Sequence, residues 1–380
     1  MDRILFFDTT SSGHRSSYDL SLIKGISKER EVLFVTKASS QLQSSLNNEG
    51  IKYKSILTKR KHHLIHDLEL LFQMLWIAKR QKIKHIHLLY LDSILVLVML
   101  IMPIIYLFGF RVTGTLHWYP NKTIKKILLY GLIKGKVLDK VVVHGDYTKE
   151  KVLKLLGPTT KSNRIFSVPY PNLHNSVDVR NKDITTVYEE INIQNLKRPF
   201  LLAFGGLRYD KGLDLLIESL KKVSNRTFTL FIVGKEEHFD RPFIEKQIEG
   251  SFLENNTILK LGYVPDESVS YYFGMTNAVV LPYRKIFTGQ SGPLTEGVAN
   301  GKFIIGPNHG ELGYTIDKFE LGYTFLVEDT DDLANTLQRY IDEFGSGGCL
   351  VNQNGISQYK SMVSEISFWN NYRLFFNVIE

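Results

Sequence analysis

Arg208 and Lys211 stand in a glycine-flanked turn between an apolar run, FLLAFGG, and an amphipathic run, LDLLIESL. A turn of this kind joins a strand to a helix. Its free backbone N–H groups and the positive end of the helix favour an anion, and the two cations add charge-assisted donors. A diphosphate is the natural occupant, and an ordinary loop whose Arg and Lys face solvent is the competing reading. A second turn of similar character follows the strand AVVLPY: Thr288, Gly289, Gln290, Ser291, Gly292 and Pro293 lead into a helix carrying Leu294 and Glu296. Gly289 and Gly292 allow a ligand to approach the backbone closely.

The spelling of these turns resembles the nucleotide-sugar glycosyltransferases of family 4 type. That family shows Gly-Arg-Leu-x-x-x-Lys-Gly at the first turn, where this chain reads Gly206-Leu207-Arg208-Tyr209-Asp210-Lys211-Gly212. At the second turn it shows two glutamates eight positions apart. Glu296 matches the second, and Thr288 stands where the first would be. Gly262-Tyr263-Val264-Pro265-Asp266 is similar to the family's loop beside the nucleobase, and Asn308-His309-Gly310-Glu311 to its sugar-facing loop. The resemblance implies a GT-B fold, two Rossmann-like α/β domains facing across a cleft with the last helix returning to the first domain. It also implies transfer with retention of configuration from a nucleoside diphosphate sugar, as co-substrate, to a glycan or lipid-linked acceptor, with a hexose as the group moved. Arg208 and Lys211 would then stabilise the leaving diphosphate, Glu296 would hold the ribose, and Thr288, Gly310 and Glu311 would face the sugar. On the first domain the resemblance places His117 toward the donor sugar, and Gly13 and His14 in a loop lining the cleft.

The rest of the chain agrees with this scale. Its 380 residues, 43% hydrophobic, suffice for two cores. Alternating strand and helix signals argue for parallel sheets. We expect an acceptor-binding domain over 1–171, a nucleotide-sugar-binding domain over 172–361 opening on a polar hinge and a short lead-in helix, and a returning aromatic helix over 362–380. A single cysteine excludes an intramolecular disulfide, and with no secretory signal at the start a cytoplasmic setting is expected.

The net charge of +8 raises nucleic acid as a partner, but no zinc-ligand set, aromatic RNP-like strand or recognition helix accompanies it. The first loop, Thr9-Thr10-Ser11-Ser12-Gly13-His14, lacks the G-x-G-x-x-G spacing of a dinucleotide-dependent oxidoreductase. Asp329-Thr330-Asp331 has the form of a metal-binding pair, yet it precedes DLANTLQRYI and reads as a helix cap, so no metal site and no cofactor are expected. The uncharged run 93–110 is expected to be a buried crossover helix, with a membrane span or an interfacial segment as the alternatives. Lys122, Lys125, Lys126, Lys134, Lys136 and Lys140 interleave with apolar residues. That helix either packs its apolar face in the core or lies peripherally on anionic membrane, by salt-sensitive attachment without insertion. A silent relative that keeps the fold as a binding or assembly module is the alternative to an enzyme.

Overall fold

The computed structural model describes residues 3–10, 14–158, 160, 162–173, 195–348 and 351–377, without the side chains of His14 and Glu267. Gly13 and most of the expected hinge and lead-in helix fall outside these residues. The chain divides into two compact units, Met1–Leu173 with Ser364–Glu380, and His174–Val363.

In the first unit the described strands form one parallel sheet. They are β1 (Ile4–Phe7), β2 (Val32–Thr36), β3 (Tyr53–Ser55), β4 (His85–Leu88), β5 (Arg111–Leu116), β6 (Leu138–Val143) and β7 (Ile165–Ser167). Their order is β3-β2-β1-β4-β5-β6-β7, with Ile4 in register with both Val32 and His85. Every residue of β1, ILFF, is buried, as a central parallel strand covered on both faces requires. One face is covered by α3 (His63–Arg80), α4 (Leu91–Leu107), α5 (Thr123–Lys134) and α6 (Asp146–Leu156). The other is covered by α1 (His14–Ser27), α2 (Ser40–Asn48) and the last helix, Glu365–Asn377. The run 93–110 does lie largely in the crossover helix α4 between β4 and β5, but the expected burial holds only for its sheet-facing side, since Val96, Leu100 and Leu107 are exposed; among the described residues no helix is long and apolar enough to cross a membrane.

The last helix is anchored by both packing and a polar chain. Phe368, Phe375 and Phe376 are buried, and Trp369 lies where a Cβ on Gly25 of α1 would come within 2.2 Å of its ring. Tyr372 bonds Thr115 of β5 at 2.6 Å and Tyr18 of α1 at 2.7 Å. Thr115 in turn bonds His87, whose other ring nitrogen meets Thr113 at 2.9 Å. Buried hydroxyls and rings thus satisfy one another, which fixes how this helix seats.

The second unit repeats the plan with β8 (Phe200–Phe204), β9 (Thr229–Gly234), β10 (Thr257–Leu261), β11 (Ala278–Val280), β12 (Phe303–Pro307) and β13 (Gly322–Phe325), in parallel order β10-β9-β8-β11-β12-β13. The helices here are α7 (Leu213–Lys222), α8 (Arg241–Ile248), α9 (Leu253–Asn256), α10 (Asp266–Met275), α11 (Gly292–Ala299), α12 (Gly310–Phe319), α13 (Thr330–Gly345) and α14 (Gln353–Val363), with the last helix of the chain as α15. α7, α8 and α13 bury their leucines and isoleucines on one face of the sheet. α14 packs on α11 and α12. In both units the strand order reverses once, between β1 and β4 and between β8 and β11. Ligands of open α/β sheets bind beyond the carboxyl ends of strands at such a point.

Candidate active site

The turns after β8 and β11 flank the switch point of the second unit. Gly205 leaves β8 with φ +107°, and a Cβ there would lie 2.5 Å from Lys211 Nζ and 4.0 Å from Pro293 Cγ. The turn after β8, its lysine and the start of α11 thus converge on one glycine, and only a residue without a Cβ leaves the space between them open. Gly206 is similarly confined, since a Cβ would meet Glu237 Oε1 at 2.5 Å. Gly212, φ +62°, opens α7 against the Pro282 carbonyl, 2.1 Å from where its Cβ would be.

The two cations of this turn differ in their surroundings. Lys211 Nζ lies 5.5 Å from the Tyr283 ring centroid and reaches the Phe204 carbonyl only at 3.5 Å. Burial, with the Arg208 charge beside it, pulls its pKa down to about 8. An anion would restore the full charge. Arg208 instead forms a two-pronged pair with Asp210, Nε to Oδ1 at 2.9 Å and Nη2 to Oδ2 at 2.7 Å. Its charge is held in the turn and partly neutralised there.

A third cation, Arg284, ties the two turns together and was not singled out by the sequence. Its guanidinium pairs with Asp214 of α7 at 2.6 and 2.9 Å, donates to the Tyr209 carbonyl at 2.7 Å and stacks 4.0 Å from the Tyr209 ring. Its backbone N–H reaches the Asp210 carbonyl at 2.9 Å. The signal available was an arginine at a strand end inside a glycine-rich turn. Spacing alone did not tell it from an anion ligand.

At the second turn Ser291 caps α11, its Oγ accepting the Leu294 N–H at 3.3 Å, and it donates to Tyr283 Oη at 3.3 Å. Pro293 has no N–H, so an anion at this helix start would use the amides of Gly289 to Gly292. Thr288 is half-buried, and Glu296 is buried one turn into α11. The third loop enters from β12: Gly310 starts α12 at φ +68°, and a Cβ there would sit 3.7 Å from the Phe287 carbonyl of the second turn. Glu311 is buried beside it. The two expected sugar-facing segments are therefore neighbours. Val264 lies farther along the same edge, in a cleft of about 290 Å³ lined by Leu259, Leu261, Tyr263, Pro265 and Tyr272. A row of glycines connects the two regions: Gly262 donates to the Gly234 carbonyl at 2.9 Å, and a Cβ on Gly234 would meet the Gly205 carbonyl at 2.1 Å. Asp329 caps α13, accepting the Asp331 and Asp332 N–H groups at 3.0 and 2.9 Å, and Asp331 pairs with Lys222 at 2.7 Å.

The strand ends of the first unit hold a different chemistry. His117 follows β5, stacks on Tyr90 at 4.1 Å and lies 4.7 Å from the His144 ring. Its Nε2 donates to the Leu89 carbonyl at 3.0 Å, which leaves Nδ1 as the acceptor nitrogen. Burial holds His117 well below the usual imidazole range and His144 at about 4, so both are neutral. Asp8, at the end of β1, and Asp19, in α1, are a buried carboxyl pair. Arg15 lies 3.6 Å from Asp8 and 4.2 Å above Tyr90. Burial outweighs Arg15 and raises Asp8 to about 7, while Asp19 is pushed up by burial and by Asp8. Burial therefore favours the protonated form of both carboxyls, and Asp8 Oδ2 and both Asp19 oxygens have no hydrogen-bond partner among the described residues. Gly13 falls outside the described residues, and of His14 only the backbone, at the start of α1, is described.

Known proteins agree with this architecture. Residues 186–344 match the sequence profile of the family described as glycosyl transferases group 1. A comparison with curated protein sequences finds no match. Among solved structures the chain is similar to HepE of Anabaena in complex with UDP, at 13% identity, all of both chains covered and a TM-score of 0.75. It is also similar to sucrose-phosphate synthase from Thermosynechococcus elongatus, at 14% identity, 100% and 99% covered and a TM-score of 0.74. A third is the lipopolysaccharide outer core galactosyltransferase WaaB, at 14% identity, both chains covered and a TM-score of 0.72. The fold is that of the GT-B glycosyltransferases, two parallel-sheet Rossmann-like units over the full chain. The match to group 1 glycosyl transferases, residues 186–344, falls within the second unit.

Proposed function

We propose that the protein is a glycosyltransferase that moves a sugar, a hexose in the simplest case, from a nucleoside diphosphate sugar to a glycan or lipid-linked glycan. The observation that carries this reading is the convergence of Lys211 and the start of α11 on Gly205, at the strand switch of the unit that matches glycosyl transferases group 1. That space is cationic and lies beside the start of a helix, and a side chain at position 205 would close it. UDP in the HepE structure and the galactosyltransferase activity named for WaaB support the substrate class.

In this reading Lys211 and the amides of Gly289 to Gly292 neutralise the leaving diphosphate, so the chemistry proceeds without a metal or cofactor. Arg208 adds positive potential while clasped to Asp210. Glu296 accepts the ribose hydroxyls, and Val264 lies beside the base. Thr288, Gly310 and Glu311 face the sugar. The family 4 resemblance makes the transfer retaining: the acceptor attacks on the face the diphosphate leaves, and the departing oxygen takes the acceptor proton. The first unit binds the acceptor, with His117 presenting a neutral nitrogen, in cytoplasmic assembly of a bacterial-type surface polysaccharide.

The silent-relative reading draws on one observation, a hydroxyl at Thr288 where the family carries a carboxylate. A thermal-shift screen of nucleoside diphosphates and nucleotide sugars, followed by donor hydrolysis with the best ligand, decides between them. A ligand at a hundred times its Kd raises stability by about 2.7 kcal/mol. A shift with turnover supports the enzyme, a shift without turnover the silent relative, and no shift with any nucleotide removes both.

A further inference from the structure

The outward surface of the first unit's α3–α4–α5 layer is apolar where a water-facing helix layer is expected to be charged. These helices lie side by side on one face of the sheet, α4 in the middle, and bury their inward residues in a common core. Outward, α4 presents Ser93, Val96, Leu100, Pro103 and Leu107, an uncharged stripe at helical spacing in which Leu100 is 62% and Leu107 77% exposed. α3 adds Phe72 and Trp76, the latter 59% exposed. On α5 the apolar residues divide: Leu129, Leu132 and Ile133 face the core, while Ile124 and Ile127 are 59% and 58% exposed. The apolar residues of this helix thus divide into a core-packed set and an exposed set.

Cations frame the apolar stripe. Lys79 lies 3.9 Å over the Phe108 ring, Arg80 5.1 Å from Trp76 and Lys134 5.9 Å from Tyr130. α5 has no acidic residue, and the one on α4, Asp92, accepts the His117 N–H. Exposed aliphatic side chains bordered by aromatic rings with cations beside them match the layers of a bilayer leaflet: acyl chains, interface and anionic headgroups. A partner surface without acidic groups would leave these cations unmatched, whereas anionic headgroups pair with them beside the acyl layer.

We propose that this three-helix face seats in an anionic bilayer, with Trp76, Leu100, Leu107, Ile124 and Ile127 entering the headgroup–acyl boundary. The protein is thus held by shallow hydrophobic insertion and not by lysine attraction alone. This deepens the proposed function by naming the membrane as partner of the first unit. It is tested without donor or acceptor, so its failure leaves the catalytic reading intact.

The test is flotation of the full chain with phosphatidylcholine vesicles, with and without phosphatidylglycerol, at low and at high salt. Phosphatidylglycerol should increase binding. At high salt, where the Debye length is about 3 Å, most of the bound protein should remain. The combined Trp76→Glu, Leu100→Glu and Leu107→Glu variant should lose at least about a hundredfold in partition coefficient, the scale of three exposed side chains no longer buried. Its melting midpoint and nucleotide thermal shift should match wild type. Single Leu107→Glu, at the most exposed site, should lose about tenfold and guards against misfolding of the triple variant. Complete release by salt would overturn insertion. Absence of binding to either vesicle, or a dimer that the triple variant dissociates, would overturn the membrane assignment.

Discussion

The two units share a parallel, once-reversed sheet, yet their strand ends are opposites. Beyond β8 and β11 lie glycines, a lysine at reduced pKa and a helix start. Beyond β1, β4 and β5 lie stacked rings, neutral histidines and two buried carboxyls whose pKa values burial raises. The first arrangement suits a permanent anion, and the second suits hydroxyls packed against rings. One topology has been given two solvents, and the loops after the strands, not the sheets, make the difference.

The largest effect should come from breaking the cationic side. Lys211→Ala is expected to lower turnover by about a hundredfold or more, the scale of one lost transition-state donor, with the melting midpoint little changed. Wild-type rates at saturating donor would dissolve the contrast between the units. Arg284→Ala acts on the frame and should cost about 3 kcal/mol of unfolding free energy, since it strands Asp214 and separates the turns. Denaturant titration reads this, and a loss under about 1 kcal/mol would mean the turns hold their places without it.

On the first unit the sharper probe is pH. Asp8 titrates near 7 folded and near 3.8 unfolded, so the folded state binds the proton more tightly. Its contribution is full below about pH 4 and is lost as pH rises through 7. The wild-type melting midpoint should therefore fall between pH 5 and pH 8, by about 4 °C or more. Asp8→Asn should flatten that decline, and parallel curves would show that burial does not raise the Asp8 carboxyl. On the second unit, Lys211 at about 8 loses its charge above that pH. Affinity for a nucleoside diphosphate should fall by up to about tenfold per pH unit there, and Lys211→Arg should remove the dependence. The smallest expected effect is none: activity should persist in excess EDTA, and loss with rescue by magnesium or manganese would reopen the role of Asp329 and Asp331.

How much of this was legible in the sequence follows from the range of each signal. Glycine pairs beside cations announce a turn locally, so both glycine-rich turns were readable, and the apolar run 93–110 announced its crossover helix. The helix α2 and the short strand β3 went unread, because a polar nine-residue helix and a three-residue edge strand leave little periodic pattern. The Asp8–Asp19 pair and the double role of Arg284 were invisible, since each depends on residues brought together by the fold. α5 read ambiguously because its lysines mark the surface while its apolar residues lie on two sides of the helix.

The central claim is that the turns of the second unit bind a nucleoside diphosphate through Lys211 and the start of α11. The direct measurement is a calorimetric titration of the best nucleoside diphosphate from the screen into wild type and Lys211→Ala at pH 7. The account predicts a single site in the wild type, weakened about tenfold to a hundredfold by the substitution, as loss of one charged hydrogen bond requires. Equal affinity in the two proteins would contradict it.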